Sequence, residues 1–332
     1  MAALGRMRKR PRRNRKSEAV RGFHRETFLS PRHFVLPLFI HDGDGKIKIE
    51  SMPGCYRLSL QDMMEEVQGA VEDGIVAVEV FPAIDDSLKT ADGAESFNPE
   101  GLVPRAIRML KARWADLIVV SDVALDPYSS DGHDGIVKDG AILNDETVRV
   151  LCKQALCHAR ALVDIIAPSD MMDGRIGAIR DTLDENGFKH VSLLSYTAKY
   201  ASGFYSPFRE ALDSTPKFGD KKTYQMDPAN AREALREAAL DEEEGADIMM
   251  VKPAMPYLDI LCRLRRETTL PLAAYQVSGE YAMLKAASQN GWLDEKSVVM
   301  ESLMSIRRAG ADIIFTYFAR QAARWLKNGE DL

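Results

Sequence analysis

The chain lacks any run approaching the ~20 apolar residues that cross a bilayer, and it lacks the apolar segment of a secretory signal peptide. The expectation is a protein that works off the membrane. Cysteine is scarce. Cys55, Cys152, Cys157 and Cys262 are the whole set, and none forms a CxxC pair or another ligand spacing. That spacing excludes a disulfide framework and a cysteine zinc centre, and it fits buried thiols in a reducing compartment. No GxGxxG follows a strand, and no GxxxxGK precedes a Ser or Thr, so the glycine-rich phosphate loops are missing too. Positive charge is not in excess: 44 Lys and Arg face 50 Asp and Glu, a formal charge of −6. Nothing therefore draws the whole chain to nucleic acid.

What is present is core. A chain of 332 residues with 45% hydrophobic content can fill one α/β barrel or two domains. The composition breaks at the N-terminus, where MAALGRMRKRPRRNRKSEAVRGFHR is strongly basic with little apolar periodicity. Such a segment does not order itself. It reads as a solvated tail, as an arm packed on a neighbouring subunit, or as the remnant of an organelle transit peptide. No aromatics interleave its basic residues, so nucleic-acid binding is not expected.

Beyond it, short runs rich in β-branched and other apolar residues recur at 34–40, 76–81, 117–125, 164–170, 190–196, 247–253, 271–277 and 312–318. Segments of helical period separate most of them. The clearest, PANAREALREAALDEEE (228–244), has Asp227 as a candidate cap and Pro228 suited to its first turn. EEGADIMMVKP (243–253) and RAGADIIFTYF (308–318) share a phrase in which a glycine closes a helix and a buried strand follows. Apolar strands alternating with helices predict a parallel sheet covered on both faces. Eight of them predict a closed (β/α)8 TIM barrel, with an extended N-terminal arm over 1–30 and the catalytic domain over 31–332. A doubly wound open sheet is the alternative.

In a barrel the active site lies at the C-terminal ends of the strands. Those ends carry Asp122 and the cluster SDVALDPYSSDGHDG (121–135), then Ser169 and Asp170, then Lys199, Lys252, Ser278 and Tyr317. Lys199 and Lys252 are flanked by apolar and aromatic residues. They read either as lysines with buried stems and hydrated heads or as two amines in one pocket. In one pocket each ammonium makes the other costlier to charge, and desolvation adds to this. A free amine attacks a ketone and forms a Schiff base. Two such lysines point to two carbonyl substrates held together. Residues 202–227, rich in Gly, Pro, Ser and Asp, read as a long loop able to close over a site. Its Arg209, Lys221 and Gln225 suit a carboxylate.

These residues fall in phrases that resemble porphobilinogen synthase, also called 5-aminolevulinate dehydratase. They are APSDMMDGRIGAIR (167–180), YTAKYASGFYSPFRE (196–210), YQMDPAN (224–230), ADIMMVKPAMPYLDI (246–260), YQVSGEY (275–281) and RAGADIIFTYFA (308–319). The resemblance implies a (β/α)8 barrel whose N-terminal arm wraps a partner subunit, usually in a homo-octamer, with hexamer and dimer as smaller forms. It implies the condensation of two 5-aminolevulinate molecules into porphobilinogen with loss of two waters. Lys252 would hold the substrate whose side chain becomes the propionate, with Ser278 and Tyr317 on its carboxylate. Lys199 would hold the second, with Arg209, Lys221 and Gln225 on its carboxylate. Asp122 would face the first substrate's amino group, and Phe204 would wall the pocket. Many relatives have arginine where Lys221 stands, so the bidentate fork is lost here.

Zinc-type relatives have cysteines at the positions of Ala124, Asp126 and Asp134. This chain has none there, and oxygen ligands suit magnesium rather than zinc. Zinc is therefore not expected. Asp126 and Asp134 read either as ligands of a labile magnesium or as charge balance for the lysines, and the second is preferred. The resemblance also implies an allosteric magnesium held by Glu237. It places the chain in a plastid stroma, with a bacterial cytoplasm as the alternative. Two rivals are carried forward. A class I aldolase needs only one Schiff-base lysine. A binding protein with a basic arm needs none.

Overall fold

A computed structural model describes residues 8–212, 214, 216–217 and 219–329. The first seven residues of the expected arm, and residues 213, 215 and 218 of the expected lid, lie outside this set. Eight parallel strands form a closed ring: β1 Phe34–His41, β2 Ala77–Ala83, β3 Ile118–Val123, β4 Ile165–Pro168, β5 Ser192–Lys199, β6 Ile248–Lys252, β7 Leu272–Gln276 and β8 Ile313–Thr316. β8 closes on β1 with Phe34 against Ile314 and Val35 against Phe315. The helices that follow the strands are α1 Leu60–Asp73, α2 Leu102–Arg113, α3 Asn144–Arg160, α4 Arg175–Glu185, α5 Glu233–Glu243, α6 Leu258–Glu267, α7 Glu295–Ala309 and α8 Ala319–Lys327. The expected (β/α)8 barrel is the fold, and the open sheet is excluded by the β8–β1 pairing. No helix among the described residues is long and apolar enough to cross a membrane.

The shared Gly-Ala-Asp phrase explains how the barrel is pinned at its base. Gly245 and Gly310 follow α5 and α7 with φ of 99° and 125°, a region that only glycine enters at little cost. The aspartate two residues later then caps the neighbouring strand. Asp247 accepts the Leu193 N–H at 2.8 Å, and Asp312 accepts the Leu272 N–H at 3.1 Å. Asp164 does the same for Val119 at 2.8 Å. These bonds satisfy strand-end donors that would otherwise be orphaned.

Two expectations shift. The helix expected over 228–244 begins at Glu233. Asp227 instead turns the chain locally by accepting the Ala229 N–H, and Asn230 accepts the Arg232 and Glu233 N–H groups. Lys199 lies not beyond the strand expected to end at 196 but at the end of a longer β5, while Lys252 ends β6 inside the run expected for it. Residues 8–30 hold two single-turn helices, Pro11–Arg15 and Glu18–Gly22, with no buried residue in either.

Candidate active site

Lys199 and Lys252 are partners in register across β5 and β6. The register slips between Met249 and Val251: Ser195 pairs with Met249, but Ala198 pairs with Val251. β5 therefore carries one extra residue, a bulge that breaks the in-out alternation. Tyr196 and Lys199, three apart, consequently both reach the barrel interior.

A pocket at this end is lined by Phe81, Asp122, Asp126, Asp134, Ser169, Lys199, Tyr205, Phe208, Arg209, Lys221, Gln225 and Lys252. It draws together nine of the residues singled out from sequence. Its free volume is about 30 Å³, room for about one water, so the site is closed. The short helix Ser206–Leu212 closes it, and the Phe208 ring packs against Phe39 and Phe81 at 5.6 and 5.2 Å.

Lys252 Nζ is boxed by the rings of Tyr275 at 4.5 Å, Phe208 at 4.9 Å, Tyr196 at 5.0 Å and Tyr205 at 5.5 Å. Burial and then Lys199 push its pKa down to about 8, against the pull of Glu79 and Asp122. Lys199 Nζ donates to the Ser169 carbonyl and lies 3.7 Å from Asp134 Oδ2. Lys221 Nζ lies 2.9 Å from Asp134 Oδ1 and 3.4 Å from Asp126 Oδ2. Burial works against the Asp134 charge, but Lys199 and Lys221 hold its carboxyl below the usual range. Asp126 goes the other way, raised by burial. Asp122 is raised to about 7 by burial and then by Asp126. Asp122 Oδ1 and Gln225 Oε1 are buried without a hydrogen-bond partner. Acceptors left bare in a closed polar pocket await a ligand.

Ser278 and Tyr317 stand behind the Lys252 side. Ser278 Oγ accepts the Phe208 N–H at 2.9 Å, and the Tyr317 and Tyr275 hydroxyls are 3.1 Å apart. Phe204 does not line the pocket. Its carbonyl accepts from Ser278, and its backbone lies so close to Gly279 that an added Cβ would meet it at 2.5 Å. Tyr205 and Phe208 form the wall instead. Asp170 turns away toward Arg175, 3.8 Å distant.

Glu237 lies elsewhere, on α5, in a groove it shares with Asp173 and Glu233. Burial and then Asp241 raise its carboxyl above the usual value. Acidic oxygens crowded in this way suit a hard cation. No three His, Cys, Asp or Glu side chains among the described residues are arranged to hold a metal ion directly.

The family model of delta-aminolevulinic acid dehydratase matches residues 8–325. The chain belongs to that family. It is accordingly an enzyme, a lyase of the porphobilinogen synthase type. It is 61% identical to the chloroplastic delta-aminolevulinic acid dehydratase of Physcomitrium patens over 96% of this chain and 74% of that protein. It is 62% identical to the chloroplastic enzyme of Glycine max over 96% of this chain and 78% of that one. A crystal structure of the Toxoplasma gondii enzyme in complex with its product porphobilinogen superposes with a TM-score of 0.96. That match has 54% identity and covers 96% of this chain and 92% of that one.

Some residues in and beneath the pocket were not singled out from the sequence. Tyr205 and Phe208 sit inside the phrase that flagged Lys199, but aromatics there read as core. Tyr196 and Tyr275 sit in apolar strands and read the same way. Glu79 left a clearer signal, a lone charge in the run VAVEVF.

Proposed function

We propose that Lys252 and Lys199 carry the family's reaction, the condensation of two 5-aminolevulinate molecules into porphobilinogen with loss of two waters, through two Schiff bases. This is an early step of haem and chlorophyll synthesis. The observation that carries the assignment is the register pairing of the two lysines, with Lys252 sealed among aromatic rings. Burial, and then the second ammonium of Lys199, destabilise the Lys252 ammonium relative to the amine, and only the amine attacks a ketone.

Lys252 takes the substrate that supplies the propionate, with Ser278 and Tyr317 receiving its carboxylate and Asp122 facing its amino group. A carboxyl raised to about 7 is suited to both accepting and returning a proton there. Lys199 takes the second substrate, whose carboxylate goes to Arg209, Lys221 and Gln225. In the closed site Lys221 is engaged by Asp126 and Asp134, so that carboxylate competes with them. We read the two aspartates as charge balance for Lys199 and Lys221, since each already faces an ammonium. Phe204 supports the wall through its backbone, which lies against Ser278 and Gly279.

Residues 202–227 act as the lid. Residues 1–30 act as an arm on a neighbouring subunit in a homo-octamer, a role supported by the exposed rings of Phe23 and Phe28. Glu237, with Asp173 and Glu233 beside it, holds a hydrated magnesium, which supplies positive charge that relieves their mutual repulsion and favours the octamer. The chloroplastic relatives support a plastid stroma over a bacterial cytoplasm.

The deciding experiment measures pyrrole formation from 5-aminolevulinate with EDTA, with magnesium and with zinc, followed by borohydride trapping. Stimulation by magnesium and trapped adducts on both lysines are expected. Dependence on zinc would overturn the reading of the aspartates. An adduct on one lysine alone would point back to an aldolase.

A further inference from the structure

Glu79 lies in the middle of β2, in a strand that is otherwise apolar, AVEVFPA. It is wholly buried, and no role assigned above uses it. Its register partners, Pro37 on β1 and Val120 on β3, offer no polar side chain. Side chains alternate along a strand, so Glu79 shares the inward face with Phe81, two residues on. Phe81 lines the pocket beside Asp122. Glu79 therefore sits one layer beneath the pocket floor.

There Oε1 accepts the Tyr196 hydroxyl at 2.9 Å, while Oε2 has no hydrogen-bond partner. The Tyr196 ring stands 5.0 Å from Lys252 Nζ and 5.9 Å from Lys199 Nζ. One ring thus bridges the buried carboxyl and both amines. The groups whose fields meet Glu79 are Asp122 from β3, Tyr196 from β5, Lys252 from β6, Tyr275 from β7 and Tyr317 just after β8. Those that act on Lys252 are Lys199, Glu79, Asp122 and Asp126. A buried carboxylate is driven to its neutral form unless a cation answers it. Lys252 is the cation that answers Glu79.

We propose that Glu79 is a positioning residue for the condensation, which governs, through Tyr196 and through its own charge, whether Lys252 meets the substrate ketone as an amine or as an ammonium. The proposal rests on the reading of Lys252 as a Schiff-base lysine. Glu79 and Lys252 act on each other by charge. Carboxylate with ammonium and carboxylic acid with amine hold the same atoms and the same net charge, so no further reactant is needed. Burial and Asp122 raise Glu79 to about 8, and burial and Lys199 lower Lys252 to about 8. The two ranges overlap, and the pair titrates as a unit.

The sign of the effect follows. Well below pH 8 Glu79 is neutral and exerts no charge on Lys252. As pH rises through about 8 it ionises, and its negative charge holds the proton on Lys252. The free amine then accumulates in a drawn-out titration. Glu79→Gln keeps an acceptor for Tyr196 but cannot ionise. Lys252 in that variant loses its proton in a single step at lower pH.

The test is borohydride trapping of 5-aminolevulinate on the full chain across pH, with the adduct on Lys252 located by mass spectrometry. The wild-type curve is expected to be broad. Glu79→Gln is expected to give a one-proton curve with its midpoint about one pH unit lower, several-fold faster trapping near pH 8, and an unchanged rate at pH 6. Tyr196→Phe removes the donor that favours the ionised carboxyl, so its curve moves toward that of Glu79→Gln. This variant serves as the test if Glu79→Gln fails to fold. Superimposed curves, with only thermal stability lowered, would overturn the proposal and leave Glu79 a structural core group. Absence of any Lys252 adduct in the wild type would overturn the Schiff-base assignment itself, and this proposal with it.

Discussion

Lys199 faces Lys252 across β5 and β6 only because β5 carries one extra residue between Ser195 and Ala198. Without it, Lys199 would fall on the strand's outer face, among the helices. The bulge is thus what makes a two-amine site out of two lysines on neighbouring strands. If both amines form imines, Lys252→Ala and Lys199→Ala each lower kcat by roughly 1,000-fold or more. The double variant is then little worse than either single one, because groups that act as a unit are not additive. Steady-state pyrrole formation measures this. A Lys199→Ala enzyme within about tenfold of wild type would remove the second lysine from the chemistry.

Phe208 keeps water from Lys252, and burial is the largest cause of the low Lys252 pKa. Phe208→Ala admits water and moves that pKa back toward its ordinary value of about 10.4. A lysine contributes free amine above its pKa, so at neutral pH the variant holds less of it. The acid limb of the pH–rate profile is expected to move up by about one unit, with a matching loss of imine trapping at pH 7. A limb that does not move would mean that Phe208 only packs.

Much of this was legible from the residues. Apolar strand runs, glycine stops and the aspartates that follow them mark out the barrel, because a strand covered on both faces must be apolar along its length. The lysines were legible because a charge at a strand end is not hidden by core packing. The bulge was not, since an extra residue in an all-buried strand leaves no trace in a period-2 pattern. The aromatic box around Lys252 was hidden for a related reason: Tyr196 and Tyr275 have the same composition signature whether they fill a core or surround an amine. The start of α5 was misplaced because Pro228 also suits a turn, and Asn230 supplies the acceptor at the helix entry.

Lys221 is wholly enclosed with Asp134 and Asp126. Truncating it strands buried negative charge, which costs about 3–5 kcal/mol. Lys221→Ala is therefore expected to lose stability by about that much at pH 7, measured by urea unfolding, as well as affinity for substrate. The pH dependence has a definite sign. Asp134 is held below its unfolded pKa of about 3.9, so its contribution is present above that value and is lost as pH falls through the lower folded one. Lys221 is held above its ordinary value despite burial, chiefly by Asp126 and Asp134. Its contribution is complete below about pH 10.4 and is lost at higher pH. The gap between wild type and Lys221→Ala should therefore narrow in acid and in strong base. Lys221→Arg keeps the charge and should retain most of the stability. A gap independent of pH would mean that packing, not charge, is what Lys221 supplies.

Glu237 shares its groove with Asp173 and Glu233, and its carboxyl is raised by burial first and by Asp241 next. A raised carboxyl among like charges stores repulsion that a hydrated magnesium relieves. Binding that prefers one assembly shifts the population toward it. Magnesium is therefore expected to increase both the specific activity and the fraction of the largest oligomer in sedimentation velocity. Glu237→Ala removes one acidic oxygen pair and part of the repulsion. In that variant the ratio of activity with magnesium to activity with EDTA should fall to about one, and the oligomer distribution should stop responding to the metal. Retention of both responses in Glu237→Ala would place the activating magnesium elsewhere, with Asp126 and Asp134 the next residues to substitute.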